Sequence, residues 1–129
     1  MKSTEELNKI SKIILDACIS VHKEMGPGLL ESVYVICLVY ELQKRGLKAK
    51  TEVSIPLIYQ GIVLSKDFRI DILVEDEIIL ELKAVEVLLP VHQAQIISYL
   101  KLADKRLGFL INFNVPLMKN GIKRFVNNF

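Results

Sequence analysis

Between Asp67 and Ala84 the chain reads DFRIDILVEDEIILELKA, with apolar residues at every second position on either side of Glu75-Asp76-Glu77. The first set is Phe68, Ile70, Ile72 and Val74, and the second is Ile78, Leu80, Leu82 and Ala84. Side chains alternate faces along a strand, so this period predicts two strands, each with one apolar face. Both sets are even-numbered. Directly opposed residues of an antiparallel hairpin share a constant index sum, and both sets face one core only when that sum is even. A three-residue loop, Glu75 to Glu77, meets the condition by pairing Val74 with Ile78. The same sum places Asp71 opposite Glu81 and Arg69 opposite Lys83. A slip of one residue would turn the whole apolar set to solvent, so the stretch admits few registers.

That register puts two carboxylates side by side, with two cations one step further along the same face. Opposed residues have Cβ atoms about 4.5–5.5 Å apart, and like charges there destabilise the pair. Two arrangements relieve the cost. A divalent cation can sit between Asp71 and Glu81, since Mg²⁺ takes oxygen ligands and binds through one or two carboxylates plus water. Alternatively, Arg69 and Lys83 neutralise the pair diagonally on a solvated face. The residues alone leave both open.

The flanking segments supply the remaining elements. Ser3 with Glu6 forms a capping box signature, followed by Leu7, Ile10, Ile14, Ala17 and Val21 at helical spacing. The break Met25 to Gly28 ends that helix, and a second runs from near Leu29 to Gly46, a left-handed C′ candidate. AKTEVSIPLIYQ reads as a strand whose Pro56 belongs at an edge or a bulge. Gln60-Gly61 is a turn. Pro90 opens a helix that runs to about Ala103. LGFLINFN is a short buried strand, and the tail GIKRFVNNF is a further short strand or stays loose. The order is helix, helix, three strands, helix, strand. It predicts an α/β (α+β) fold with a mixed central sheet flanked by helices.

The chain has 129 residues, 51 % hydrophobic and 25 % charged, which fits one globular domain over 1–129 and excludes a disordered chain. A net charge of +2 does not mark a general nucleic-acid binder, yet leaves room for a local basic groove. The two cysteines, Cys18 and Cys37, fall in helical patterns and read as buried thiols, which with no signal peptide points to a cytoplasmic protein. No apolar run approaches a membrane span.

The helical segments add polar candidates. Glu31 stands in the first turn of the second helix, where the helix dipole alone favours a carboxylate. Tyr34, three residues on, shares its face. Gln95 and Tyr99 share a face of the third helix, where a polar rim is the plain alternative. His92 near the start of that helix suits a cap, a phosphate contact, a base or a metal ligand.

Asp71 followed by Glu81-Leu82-Lys83 on the next strand resembles the PD-(D/E)XK nuclease signature. Gly28-x-x-Glu31-x-x-Tyr34 resembles the motif of the GxxExxY protein family, a branch of that superfamily, and Gln95-x-x-x-Tyr99 is similar to the QxxxY motif of its exonuclease-like members. The resemblance spans nearly the whole chain. It departs from the signature at Ile70, where the name-giving motif has proline. It implies a restriction-endonuclease-like core and hydrolysis of phosphodiester bonds in nucleic acid, DNA being the expected class. It implies Mg²⁺ or Mn²⁺ held by Asp71, Glu81, the Leu82 backbone carbonyl and Glu31. Lys83 would orient the attacking water or stabilise transition-state charge. Gln95, Tyr99, Arg69, Tyr34 and His92 would support the site or hold phosphate. The competing class is a catalytically silent nuclease fold that binds nucleic acid or serves in assembly. Whether the chain forms a homodimer stays open.

Overall fold

The computed structural model describes residues 1–129. Two helices, α1 (Thr4–Met25) and α2 (Glu31–Lys44), precede strands β1 (Ala49–Tyr59), β2 (Ile62–Val74) and β3 (Ile78–Lys83). Helix α3 (Pro90–Leu102) leads to β4 (Leu107–Asn112), and a 3₁₀ turn at Met118–Gly121 leads to β5 (Ile122–Val126). The five strands lie in chain order in one sheet. β3 and β4 are parallel, joined by the α3 crossover, and every other neighbouring pair is antiparallel. This is the α+β architecture, with a mixed sheet between helices, that the element order predicts.

Local chemistry sets the ends of the elements. Ser3 Oγ accepts from Glu6 N at 3.1 Å and Glu6 Oε1 accepts from Ser3 N at 3.2 Å, closing the capping box of α1. Gly46 takes φ 87° after α2, and Leu47 N donates to Leu42 O at 3.0 Å, the bond pattern of a glycine-terminated helix. β1 is an edge strand, and its register with β2 shifts between Pro56 and Ile58, so Pro56 sits at both an edge and an irregularity. The tail forms β5 and closes the other edge.

Both faces of the sheet are covered. Toward α1 and α2 the core gathers Leu7, Ile14, Leu38 and Leu42 against Ile72, Val74, Ile78, Leu80 and Leu82. Toward α3 it gathers Ile96 and Leu100 against Leu73, Ile79 and Leu110. All six residues of β4 are buried, as a strand covered on both faces requires. Gly108 lets α3 approach: a Cβ there would meet Ile79 O at 3.1 Å and Leu100 Cδ2 at 3.2 Å.

The hairpin register matches the parity argument where the two strands pair. Ile72, Leu73 and Val74 oppose Leu80, Ile79 and Ile78. Two expectations need correction. Ile70 and Phe68 pack with Ile55 on the α3 side, not with Ile72 and Val74. β1 makes the same change of face, with Ala49 on the α1/α2 side and Val53 on the α3 side. Glu52 lies at this step with φ 50°, and such a backbone rotation carries both strands to the other face. Second, Arg69 does not oppose Lys83. The β2–β3 ladder ends at Ile72–Leu80, Arg69 pairs instead with Ser54 of β1, and Lys83 pairs with Asn112 of β4.

Candidate active site

The site forms where β2 parts from β3. Beyond Ile72 the ladder bonds are replaced by carboxylate contacts. Asp71 N donates to Glu81 Oε1 at 3.3 Å, and Leu82 N donates to Asp71 Oδ2 at 2.9 Å. Each carboxyl therefore occupies the gap where a neighbouring strand's carbonyl would otherwise stand. Leu82 is fully buried by its side chain, so only its backbone faces the gap. In an extended strand the N–H and C=O of one residue leave on the same edge, so the Leu82 carbonyl is directed to the side of Asp71.

The electrostatics of the pair are costly. Glu81 is only 4 % exposed. Burial first, and then the neighbouring Asp71 carboxylate, push its pKa up to about 9. A pKa raised that far favours the protonated form of Glu81 at neutral pH. No cation neutralises the pair directly. The molecule's ion pairs are Lys2–Glu75, Arg45–Glu41 and Lys50–Asp76, so neither Arg69 nor Lys83 bridges to Asp71 or Glu81. The diagonal neutralisation that the sequence left open is absent. Arg69 is exposed, while Lys83 is half-buried.

Two helix starts converge on this gap. Glu31, the first residue of α2, lines a groove of about 910 Å³ together with Asp71. Its carboxyl is raised by partial burial, lowered by Lys83 and raised by Asp71, which puts all three in electrostatic reach. Its side chain is nevertheless exposed, and no three Asp, Glu, His or Cys side chains converge on one point. The structure thus brings Asp71 and Glu81 together and leaves Glu31 at the mouth. At the start of α3, His92 Nδ1 accepts from Leu89 N at 3.0 Å, so His92 caps its own helix and keeps Nε2 free. Further along α3, Gln95 Nε2 donates to the Tyr99 hydroxyl at 3.2 Å. Burial, then the Glu81 carboxyl, raise the Tyr99 phenol, and its ring packs against Phe68 at 5.8 Å.

Tyr34 holds the site's frame. Its hydroxyl donates to Gly26 O at 2.6 Å and accepts from Leu29 N at 3.1 Å, and its ring stacks on Phe113 at 4.5 Å. Both bonds brace the turn that presents Glu31, which leaves the hydroxyl committed to backbone instead of a phosphate. Sequence reasoning missed Asn112. Only 3 % exposed, it accepts from Val85 N at 3.1 Å and donates to Val85 O at 2.8 Å, clamping the chain just after Lys83. The available signal was a lone amide inside the apolar run LGFLINF.

A carboxyl pair thus stands at a split between strands, with a lysine free of any ion pair two residues along. A model of the PD-(D/E)XK nuclease superfamily matches residues 8–125, and the chain belongs to that superfamily. Searches of curated proteins and of solved structures each found no match.

Proposed function

We propose that this chain is a nuclease of the GxxExxY branch that hydrolyses phosphodiester bonds of nucleic acid, most naturally DNA, with Mg²⁺ or Mn²⁺. One observation supports the reading: Asp71 and Glu81 are packed together, and no basic side chain forms an ion pair with either. A carboxyl pair with one member buried and no ion-pair partner is a poor way to stabilise a fold, because apolar residues would pack there at no charging cost. It is a sound way to hold a hard divalent ion, which prefers oxygen donors. The donor set fits such an ion: two carboxylates and the Leu82 carbonyl. A bound ion would polarise a phosphoryl oxygen and lower the pKa of a bound water.

The residues of the chain do the rest. Lys83 follows Glu81 by two, so both leave β3 on one face. With no carboxylate claiming it, its ammonium is free to orient the attacking water or to stabilise charge on the pentacoordinate phosphorus. Tyr99 and Gln95 hold each other within electrostatic reach of Glu81. His92 Nε2, at the positive end of α3, suits a non-bridging phosphate oxygen. Glu31 lies at the mouth, where its charge steadies Lys83. A panel of single- and double-stranded DNA and RNA, assayed with Mg²⁺, Mn²⁺ and chelator beside Lys83→Ala, tests the reading. Metal-dependent cleavage lost in the variant supports it. A wild type that binds Mn²⁺ but cleaves nothing in the panel would leave a silent nuclease fold instead.

A further inference from the structure

The β1–β2 hairpin runs well past the rest of the sheet, and its outer half is apolar on both faces. Beyond Pro56, Ile58 opposes Val63 and Tyr59 opposes Ile62, around the two-residue turn Gln60-Gly61. Opposed residues share a face, so Ile58 and Val63 lie on one side, and Tyr59 and Ile62, with Leu64, lie on the other. These five side chains are 51 %, 66 %, 62 %, 61 % and 44 % exposed, respectively. From Ile55 to Ser65 there is no charged residue. The backbone is also open. No strand pairs with β2 on the β3 side before Ile72, whereas on the outer edge of β1 Pro56 interrupts the row of donors.

We propose that this arm is a self-association element through which two copies of the chain pair, with β2 edges meeting about a two-fold axis. Several observations select a second copy as the occupant. A two-fold contact brings each residue near the axis against its own counterpart, which an uncharged segment tolerates and a charged one does not. A strand edge is self-complementary for antiparallel pairing, and the free edge of β2 is the one without proline. The five apolar side chains expose roughly 500 Å² per copy, and edge pairing sets those of β2 against their counterparts on the neighbouring arm. A nucleic-acid partner would instead require lysine or arginine on the arm to meet phosphates, and none lies between Ile55 and Ser65.

The test is sedimentation equilibrium of the full chain from about 1 to 200 μM, beside the double variant Ile62→Lys, Val63→Lys. Both positions are exposed at the tip, and far-UV circular dichroism checks that the variant stays folded. Wild type should dimerise reversibly, and the variant should raise the dissociation constant at least tenfold. Hydrogen exchange on wild type alone supplies a second readout: amides of residues 62–66 should gain protection as concentration rises. A wild type that stays monomeric at 200 μM overturns the proposal. So does a variant that dimerises as well as wild type. Protection of 62–66 that appears only on adding a DNA duplex or anionic vesicles, and not on raising concentration, also overturns it by assigning the arm to that partner.

Discussion

The β2–β3 hairpin has two halves that differ in everything except their register. Near the turn, Ile72 to Val74 oppose Ile78 to Leu80, all buried, with backbone donors and acceptors paired across the ladder. One step further, Asp71 and Glu81 hold the strands apart, and side-chain carboxyls take the bonds that a ladder would make. The first half stabilises the fold and the second weakens it locally. Concentrating the cost in one place lets the rest of the sheet stay rigid enough to hold the two carboxyls together. The separation also explains why the site lies at the end of a pairing and not within it: an intact ladder leaves no room for a ligand between the strands.

The largest break in this comparison is expected at Asp71. Asp71→Asn should remove cleavage by about 10³-fold or more, equivalent to about 4 kcal/mol, and abolish stabilisation by Mn²⁺. A folded-state ligand at a hundred times its dissociation constant adds about 2.7 kcal/mol, so the metal effect is readable in a melt. In the absence of metal the variant should be as stable as wild type or more so, because the amide oxygen still accepts from Leu82 N while the charge beside buried Glu81 is gone. A clearly destabilised variant, with a wild type indifferent to millimolar Mn²⁺, would remove the metal site.

On the other side of the comparison, Leu80→Ala should cost about 3 kcal/mol by opening a cavity beneath α1 and α2, measured by urea unfolding. The surviving folded fraction should retain its response to Mn²⁺. Equal loss of metal response and stability would show the two halves to be coupled.

A subtler test uses pH. Glu81 keeps its proton in the folded state up to about 9, while the unfolded chain releases it near 4.5. Across that window the folded state binds more protons, so stability falls as pH rises, by at most about 1.4 kcal/mol per pH unit from this group. Below the window the effect vanishes. Glu81→Gln should flatten the slope and make the apoprotein more stable than wild type at pH 8. A wild type whose stability rises from pH 5 to 8, unchanged in slope by Glu81→Gln, would contradict a proton held on buried Glu81.

The smallest effect is expected at Tyr34. Tyr34→Phe keeps the stack on Phe113 and loses the bonds to Gly26 O and Leu29 N, which should cost about 1 kcal/mol. Because those bonds brace the turn before Glu31, cleavage should fall several-fold with little change in substrate affinity. Activity that follows stability alone would leave Tyr34 a core residue without influence on the site.

The alternation of apolar residues from Ile72 to Leu82, with a three-residue loop between, was enough to set which carboxylates stand together, because a slipped register exposes the whole apolar set. Capping residues, Gly46 and Pro90 likewise marked their element ends, and Pro56 the irregularity within β1, since each acts through local backbone chemistry. Other features depended on residues far apart in the chain. The rotation at Glu52 that moves Ile70 and Phe68 to the α3 side comes from two strands twisting together, which a count along one strand does not contain. The freedom of Lys83 from any ion pair, and the exposure of Glu31 at the groove, follow from where helices pack. The role of Asn112 needs Val85 beside it, 27 residues away in sequence. Periodicity encodes which face a side chain takes, because burial rewards it at every second residue. What the side chain meets there is decided by partners that only the packed sheet and helices bring within reach.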